Sequence, residues 1–223
     1  MHLQLSTEFL KRLTTGIALG LGFWGIYFYL PPLFFSLILL FILSLIIVYE
    51  WTSFFPVNTA LFWLLMLPYL IVPFTLLIKL NHDPIYHELP LILFILVFSF
   101  DTGSYITGTL LGKHPICRSI SPKKTWEGLL GGYIFACLGF LLIIFERGYQ
   151  TPWWLIGIFT SIVCILSLTG DLFESWLKRR AHLKDSGTFL PGHGGFLDRF
   201  DGILFAVFFF YFCRNYIATL LIK

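Results

Sequence analysis

The sequence predicts an all-α, polytopic membrane helix bundle with about seven transmembrane helices, or eight, and a polar cavity facing the cytoplasm. Two observations predict it. Hydrophobic residues make up 57% of the 223 positions and charged residues 12%, against roughly 25% charged in a soluble domain. The mean hydropathy is +0.84, and the apolar runs are long enough to cross a hydrocarbon core of about 30 Å, which takes roughly 20 helical residues.

The runs fall at 13–30, 33–50, 59–79, 89–110, 127–145, 153–177 and 202–222. The first is too long for the core of a cleavable signal and has no Ala-x-Ala-like site after it, so it reads as a signal anchor. Pro31-Pro32 divides it from the second, a boundary that can be drawn in more than one way. The third contains Pro68 and Pro73 and should kink, which neighbouring helices tolerate in a membrane. The seventh contains Arg214, which either snorkels outward or ends the helix early. Small-xxx-small pairs at Gly16/Gly20, Gly108/Gly112 and Gly128/Gly132 allow helix backbones to approach closely. Cys137, Cys164 and Cys213 lie in apolar segments and Cys117 in a basic loop. No spacing among them suggests zinc, so they read as reduced packing residues.

The net charge of +3 matters less than its placement. Lys11 and Arg12 precede the first run. Lys113, Arg118, Lys123 and Lys124 follow the fourth, and Lys178, Arg179, Arg180, Lys184 and Arg199 follow the sixth. The positive-inside rule puts these on the cytoplasmic side with the N-terminus, and seven spans then put the C-terminus outside. Residues 1–98 read as N-terminal helices for packing, lipid contact and oligomer formation. Residues 99–223 read as the catalytic region of a single integral membrane domain.

Polar chemistry is concentrated in 99–202. Asp101 falls in the cytoplasmic half of the fourth run, and Asp171 near the cytoplasmic end of the sixth. If Gly170–Arg180 continues as helix, Asp171, Glu174, Ser175 and Lys178 stand at i, i+3, i+4 and i+7, one face. Two carboxylates, a hydroxyl and an ammonium in one stripe suit a divalent cation with a phosphate, and hard oxygen ligands suit Mg²⁺. An amphipathic surface helix with an internal ion pair is the plainer alternative. Asp198 and Asp201 form a second pair, with Arg199 able to reach a phosphate as a bidentate donor. A helix start, where acids are favoured, equally accounts for Asp201. Gly192-His193-Gly194-Gly195 offers backbone that can approach a ligand closely, and its amides could cradle a phosphate. His193 could be an acid/base, a phosphate donor or structural. Lys184-Asp185 reads as a polar turn. The loop from Gly112 to Gly128, with Lys113, Ser121, Lys124 and Thr125, lacks the Walker A spacing but could grip an anionic nucleotide or headgroup. Contact with anionic lipid is the bland reading of that loop.

From Ser175 to Asp201 the pattern runs Ser-x-Leu-Lys-Arg, Lys-Asp-x-Gly, Pro-Gly-His-Gly-Gly and Leu-Asp-Arg-x-Asp. It resembles the signature of the phosphatidate cytidylyltransferases, also called CDP-diacylglycerol synthases. Gly170–Ser175, Ser121–Gly128 (with Lys124 at the family's lysine) and Asp101-Thr-Gly-Ser-Tyr resemble the same family, the last with Thr where Ser is familiar. The resemblance covers about half the chain, which is somewhat short beside the bacterial members. It implies transfer of a cytidylyl group from CTP to phosphatidic acid, giving CDP-diacylglycerol and pyrophosphate. It also implies an Mg²⁺ centre with K⁺ beside it, a homodimer, and a bacterial inner membrane with the site open to cytoplasm and bilayer. Nucleic acid is not an expected partner.

On this reading Asp171, Asp198, Lys178 and Ser175 are catalytic, and Asp171 and Asp198 hold metal with Asp201 and Glu174. Asp101, Lys113, Ser121, Lys124, Thr125, Arg179, Lys184, Asp185, His193 and Arg199 line the substrates. Three alternatives remain. A CTP-dependent cytidylyltransferase or kinase on an isoprenoid or ether lipid would show a similar site. A CDP-alcohol phosphotransferase is disfavoured because its Asp-Gly-x2-Ala-Arg motif is missing. A transporter is disfavoured because the charges gather on one face instead of at the midplane.

Overall fold

The computed structural model describes residues 20–187, 189 and 194–221. Its helices are α1 (residues 20–29), α2 (Pro32–Phe54), α3 (Ala60–His82), α4 (Glu88–Leu111), α5 (Trp126–Arg147), α6 (Trp153–Arg180), α7 (Leu197–Phe212) and α8 (Arg214–Leu221). Five of them, α2 to α6, are long and apolar enough to cross a membrane, and the bent pair α7–α8 makes a sixth if it is one span. The predicted first span, 13–30, lies partly outside the described residues. Large apolar side chains such as Leu64, Leu110, Leu142 and Phe145 are exposed along these helices, as an integral membrane protein requires of surfaces that meet lipid.

Three expectations are revised. The loop after α4 contains a two-stranded antiparallel hairpin, β1 (Pro115–Cys117) and β2 (Ser121–Thr125), pairing Pro115 with Thr125 and Cys117 with Ser121. The seventh run is not one straight helix: α7 and α8 meet at 80°. Arg214 explains the bend. Its guanidinium donates to the Tyr211 carbonyl at 2.7 Å and lies over the Tyr211 and Tyr86 rings, 4.4 and 5.6 Å from their centroids. A cation there gains more from aromatic faces and a carbonyl than from continuing into hydrocarbon. In α3 the Pro68 disturbance takes the form of a π-turn over Leu67–Ile71 within an otherwise continuous helix. Such a turn relieves the ring's clash with the preceding carbonyl.

The chain forms two compact units, residues 1–82 with 177–200, and 83–176 with 201–223. In the first, α2 and α3 run antiparallel and are pinned at both ends. Asn81 Nδ2 donates to the Pro32 carbonyl at 2.8 Å, and Trp51 Nε1 to the Phe62 carbonyl at 3.1 Å. Trp51, Ile46, Leu70, Phe74 and Leu77 fill its core, and the Phe74 and Phe200 rings stack at 5.2 Å.

In the second unit α4 lies against α5 through small residues. A β-carbon at Gly131 would meet the Thr107 side chain, and one at Gly132 would meet Ser104 and Phe100. Gly108, Gly128 and Gly132 of the expected pairs thus lie in this contact and Gly112 lies against Thr125, whereas a β-carbon at Gly20 would meet nothing within 4 Å and Gly16 lies outside the described residues. Thr125 caps α5, its Oγ1 accepting from Gly128 N at 3.1 Å, and Gly148 closes that helix at φ 69°. Aromatic packing of Phe140, Phe159 and Phe210 fills the interior.

Candidate active site

The first unit holds one polar centre. Helix α6 continues unbroken to Arg180, as the sequence predicts, and ends in a Schellman-type turn. Leu183 N donates to the Lys178 carbonyl at 2.8 Å, and His182 takes the left-handed position at φ 57°. Lys178 Nζ lies 2.6 Å from Asp198 Oδ1, with side chains 13% and 8% exposed. The other oxygen, Asp198 Oδ2, accepts from Gly195 N at 2.7 Å, Ser186 Oγ at 2.9 Å and Ser186 N at 3.1 Å. Gly194 sits at φ 79°, backbone that favours glycine, and a side chain at Gly195 would run into Ser186 and Glu50.

Glu50 is the residue the sequence reading missed. It stands in a π-turn over Ile46–Trp51 and is fully buried. Its Oε1 accepts from Phe196 N at 2.7 Å, and its Oε2 from Leu197 N at 2.8 Å and Ser186 Oγ at 3.0 Å. The signal was present: Glu50 is the only charged side chain between Arg12 and Lys79. A lone carboxylate in so long an apolar stretch is costly without fixed donors. Glu50 therefore gives α2 a polar contact in addition to its apolar packing.

The second unit holds a second centre. Gly170 lets α6 approach the Asp201 backbone, and Gly202 approaches Ser167, so α6 and α7 cross closely there. That crossing puts the Asp171 and Asp201 carboxyl groups within hydrogen-bonding reach, with Glu174 alongside. Glu174 and Asp201 are buried, 1% and 5% exposed. Lys124, near the end of β2, forms an ion pair with Asp171. Glu127 shapes the approach to that strand: it accepts from Lys113 N at 3.2 Å and His114 N at 3.3 Å and contacts the His114 ring at 2.5 Å.

The other predicted residues are dispersed. Ser175 is half-buried on α6, and Ser121 half-buried at the start of β2. Asp101 is half-buried on α4, within electrostatic range of Cys164. Lys113, Lys184 and Asp185 are exposed. Thr125 serves as the α5 cap. Arg179 is exposed and reaches the Leu183 carbonyl at 3.5 Å. Arg199 is half-buried, with a buried Nε that has no hydrogen-bond partner among the described residues. His193 lies outside the described residues. The four cysteines are free. Among the described residues no three His, Cys, Asp or Glu side chains form a ready-made metal cage.

The sequence model of the cytidylyltransferase family matches residues 13–217. The chain belongs to the cytidylyltransferase family. Several relatives carry a more specific name. A phosphatidate cytidylyltransferase of Rickettsia bellii is 36% identical over 199 residues, covering 86% of this chain and 85% of the relative. One from Staphylococcus saprophyticus is 39% identical over 153 residues, 69% of this chain and 58% of the relative. One from Haemophilus influenzae is 43% identical over 144 residues, 59% of this chain and 48% of the relative. The chain thus spans about half the length of several of its relatives and most of the Rickettsia one. Both polar centres of this family member fall inside the matched residues.

Proposed function

We propose that this protein transfers the cytidylyl group of CTP to phosphatidic acid, releasing pyrophosphate. The observation that carries the reading is the likeness to the Rickettsia phosphatidate cytidylyltransferase over 85% of its length. The geometry supports it, because the signature's acids and lysines are held against one another in the Lys178–Asp198 and Lys124–Asp171 pairs.

The reaction forms a bond from a phosphatidate oxygen to the α-phosphorus of CTP. The bond from that phosphorus to the β-phosphate oxygen breaks, and pyrophosphate takes the electron pair. A phosphomonoester is already largely dianionic near pH 7, so little deprotonation is needed. The barrier lies in bringing like charges together and holding them in line. Lys178 and Lys124 are the cations for this task, with Arg179, Lys184 and Arg199 as further phosphate contacts. Ser175 is assigned a catalytic role beside Lys178, and Ser121, Thr125, Lys113, Asp101, Asp185 and His193 are assigned to the substrate pockets.

The second centre suits Mg²⁺ by its donor chemistry. Asp171 and Asp201 bring two carboxyl groups together beside the Lys124 ammonium, with Glu174 within electrostatic range. Such crowding of like charge is relieved by a hard divalent cation, which uses one or two carboxylates and leaves its other positions to water and phosphate. Asp171 would hold it with Glu174 and Asp201 in support, and Asp198 is proposed as a metal ligand within its own centre. When bound, the ion neutralises phosphate charge. K⁺ beside it, a homodimer, and an inner-membrane location with the site facing the cytoplasm belong to the same proposal. Purified protein should release pyrophosphate from CTP only when phosphatidic acid is added. Release that ignores the lipid would end the reading.

A further inference from the structure

Asp198 is not aimed by its own helix alone. Three of its contacts come from backbone and hydroxyl groups at Ser186 and Gly195. Those groups are in turn tied to Glu50, which takes the Ser186 hydroxyl and the next two amides after Gly195, those of Phe196 and Leu197. The Ser186 hydroxyl has one proton and two carboxylate neighbours, 2.9 Å to Asp198 and 3.0 Å to Glu50. A side chain 136 residues earlier in the sequence than Ser186 therefore ties Ser186 to the Gly195–Leu197 backbone.

We propose that Glu50 is a positioning residue for the transfer reaction. It clamps the Ser186 and Gly195–Leu197 backbone so that Asp198 is held in one orientation against Lys178. The proposal rests on the cytidylyl-transfer reading for its catalytic consequence, but the clamp itself is a statement about this segment alone. A buried carboxylate is costly, and two backbone amides with a share of the single Ser186 hydroxyl proton offset that cost. No other side chain supplies the same contacts: an amide offers one acceptor oxygen and turns an N–H₂ toward an N–H.

The test compares Glu50→Gln with Glu50→Asp in the full chain in detergent. Glu50→Gln should lower kcat tenfold or more while KM for CTP moves by less than about threefold, the pattern of a lost transition-state interaction. Glu50→Asp keeps two acceptor oxygens and should retain more activity than Glu50→Gln. Amide hydrogen exchange supplies a readout that does not need turnover. It should accelerate in the peptide covering Ser186–Leu197 and stay unchanged in α4 and α5. Wild-type kcat in both variants would overturn the proposal. So would acceleration spread over the whole chain, or failure of both variants to fold, since Glu50 would then serve folding alone. If the wild-type protein itself transfers no cytidylyl group, the activity reading falls, and the exchange result still decides the clamp.

Discussion

Lys178 Nζ lies 2.6 Å from Asp198 Oδ1, and the pair is largely shielded from solvent. An ion pair at that burial is costly to break from one side, because the remaining charge is left without its partner. The lysine is thus fixed at the carboxylate, and the proposed transfer assigns its charge to an incoming phosphate.

Lys178→Gln should lower kcat by about 100-fold or more, the scale of removing one donor from where charge develops. Arg180→Gln should leave turnover close to normal, since Arg180 is exposed and lies about 200° around the helix from Lys178. Steady-state kinetics on the two variants decides it. Equal losses would show that the helix face is not what matters.

Asp171→Asn and Asp198→Asn keep shape and remove a charge. Each should lower turnover by orders of magnitude while the protein still elutes as a folded species from a sizing column. For Asp171→Asn the loss should deepen as Mg²⁺ is made limiting. Lys124→Gln should also be impaired, because it strips the cation paired with Asp171. Near-normal activity of Asp171→Asn at limiting Mg²⁺ would remove Asp171 from the proposed metal ligands.

Much of this was legible in the sequence, and the exceptions have physical causes. Long apolar runs announce membrane helices because the hydrocarbon imposes both length and composition, and five such helices coincide with five of the apolar runs. The i, i+3, i+4, i+7 stripe announced α6 beyond the apolar run. Glu50 was hidden because its donors are backbone amides almost 150 residues away, which no local pattern encodes. The break before Arg214 was half visible. The charge pointed to it, but the rings of Tyr86 and Tyr211 that receive the guanidinium come together only in the folded unit.

Topology can be read at Asp185. Ser186 is unsuitable for thiol labelling because it is buried at 3% exposure, whereas its neighbour Asp185 is exposed. In a background without Cys117, Cys137, Cys164 and Cys213, Asp185→Cys in sealed cells should resist a membrane-impermeant maleimide until the membrane is opened. Labelling of intact cells would put this segment on the outer face, away from CTP.

Tyr149 donates a hydrogen bond to Glu88, which also pairs with Arg147 at 3.2 Å. Burial, then the Glu88 contact, holds the phenol above its ordinary pKa. The sign follows: this contribution is complete below the unfolded value of about 10 and is lost as pH rises through the folded one. Tyr149→Phe should cost about 1 kcal/mol, a fall in Tm of roughly 2–4 °C for a chain of this size. Thermal melts at pH 8 should show the fall, with kcat unchanged. An unaltered Tm would mean the contact contributes nothing.

Transfer of a nucleotide to a lipid phosphate leaves its mark in the fate of the CTP phosphorus. Purified protein is given phosphatidic acid in mixed micelles with Mg²⁺ and CTP labelled either at the α- or at the γ-phosphorus. Cytidylyl transfer predicts label in the lipid phase from the α-position alone, with γ-label recovered as pyrophosphate. Label entering lipid from the γ-position would make the protein a lipid kinase, and no lipid label from either position would rule out cytidylyl transfer.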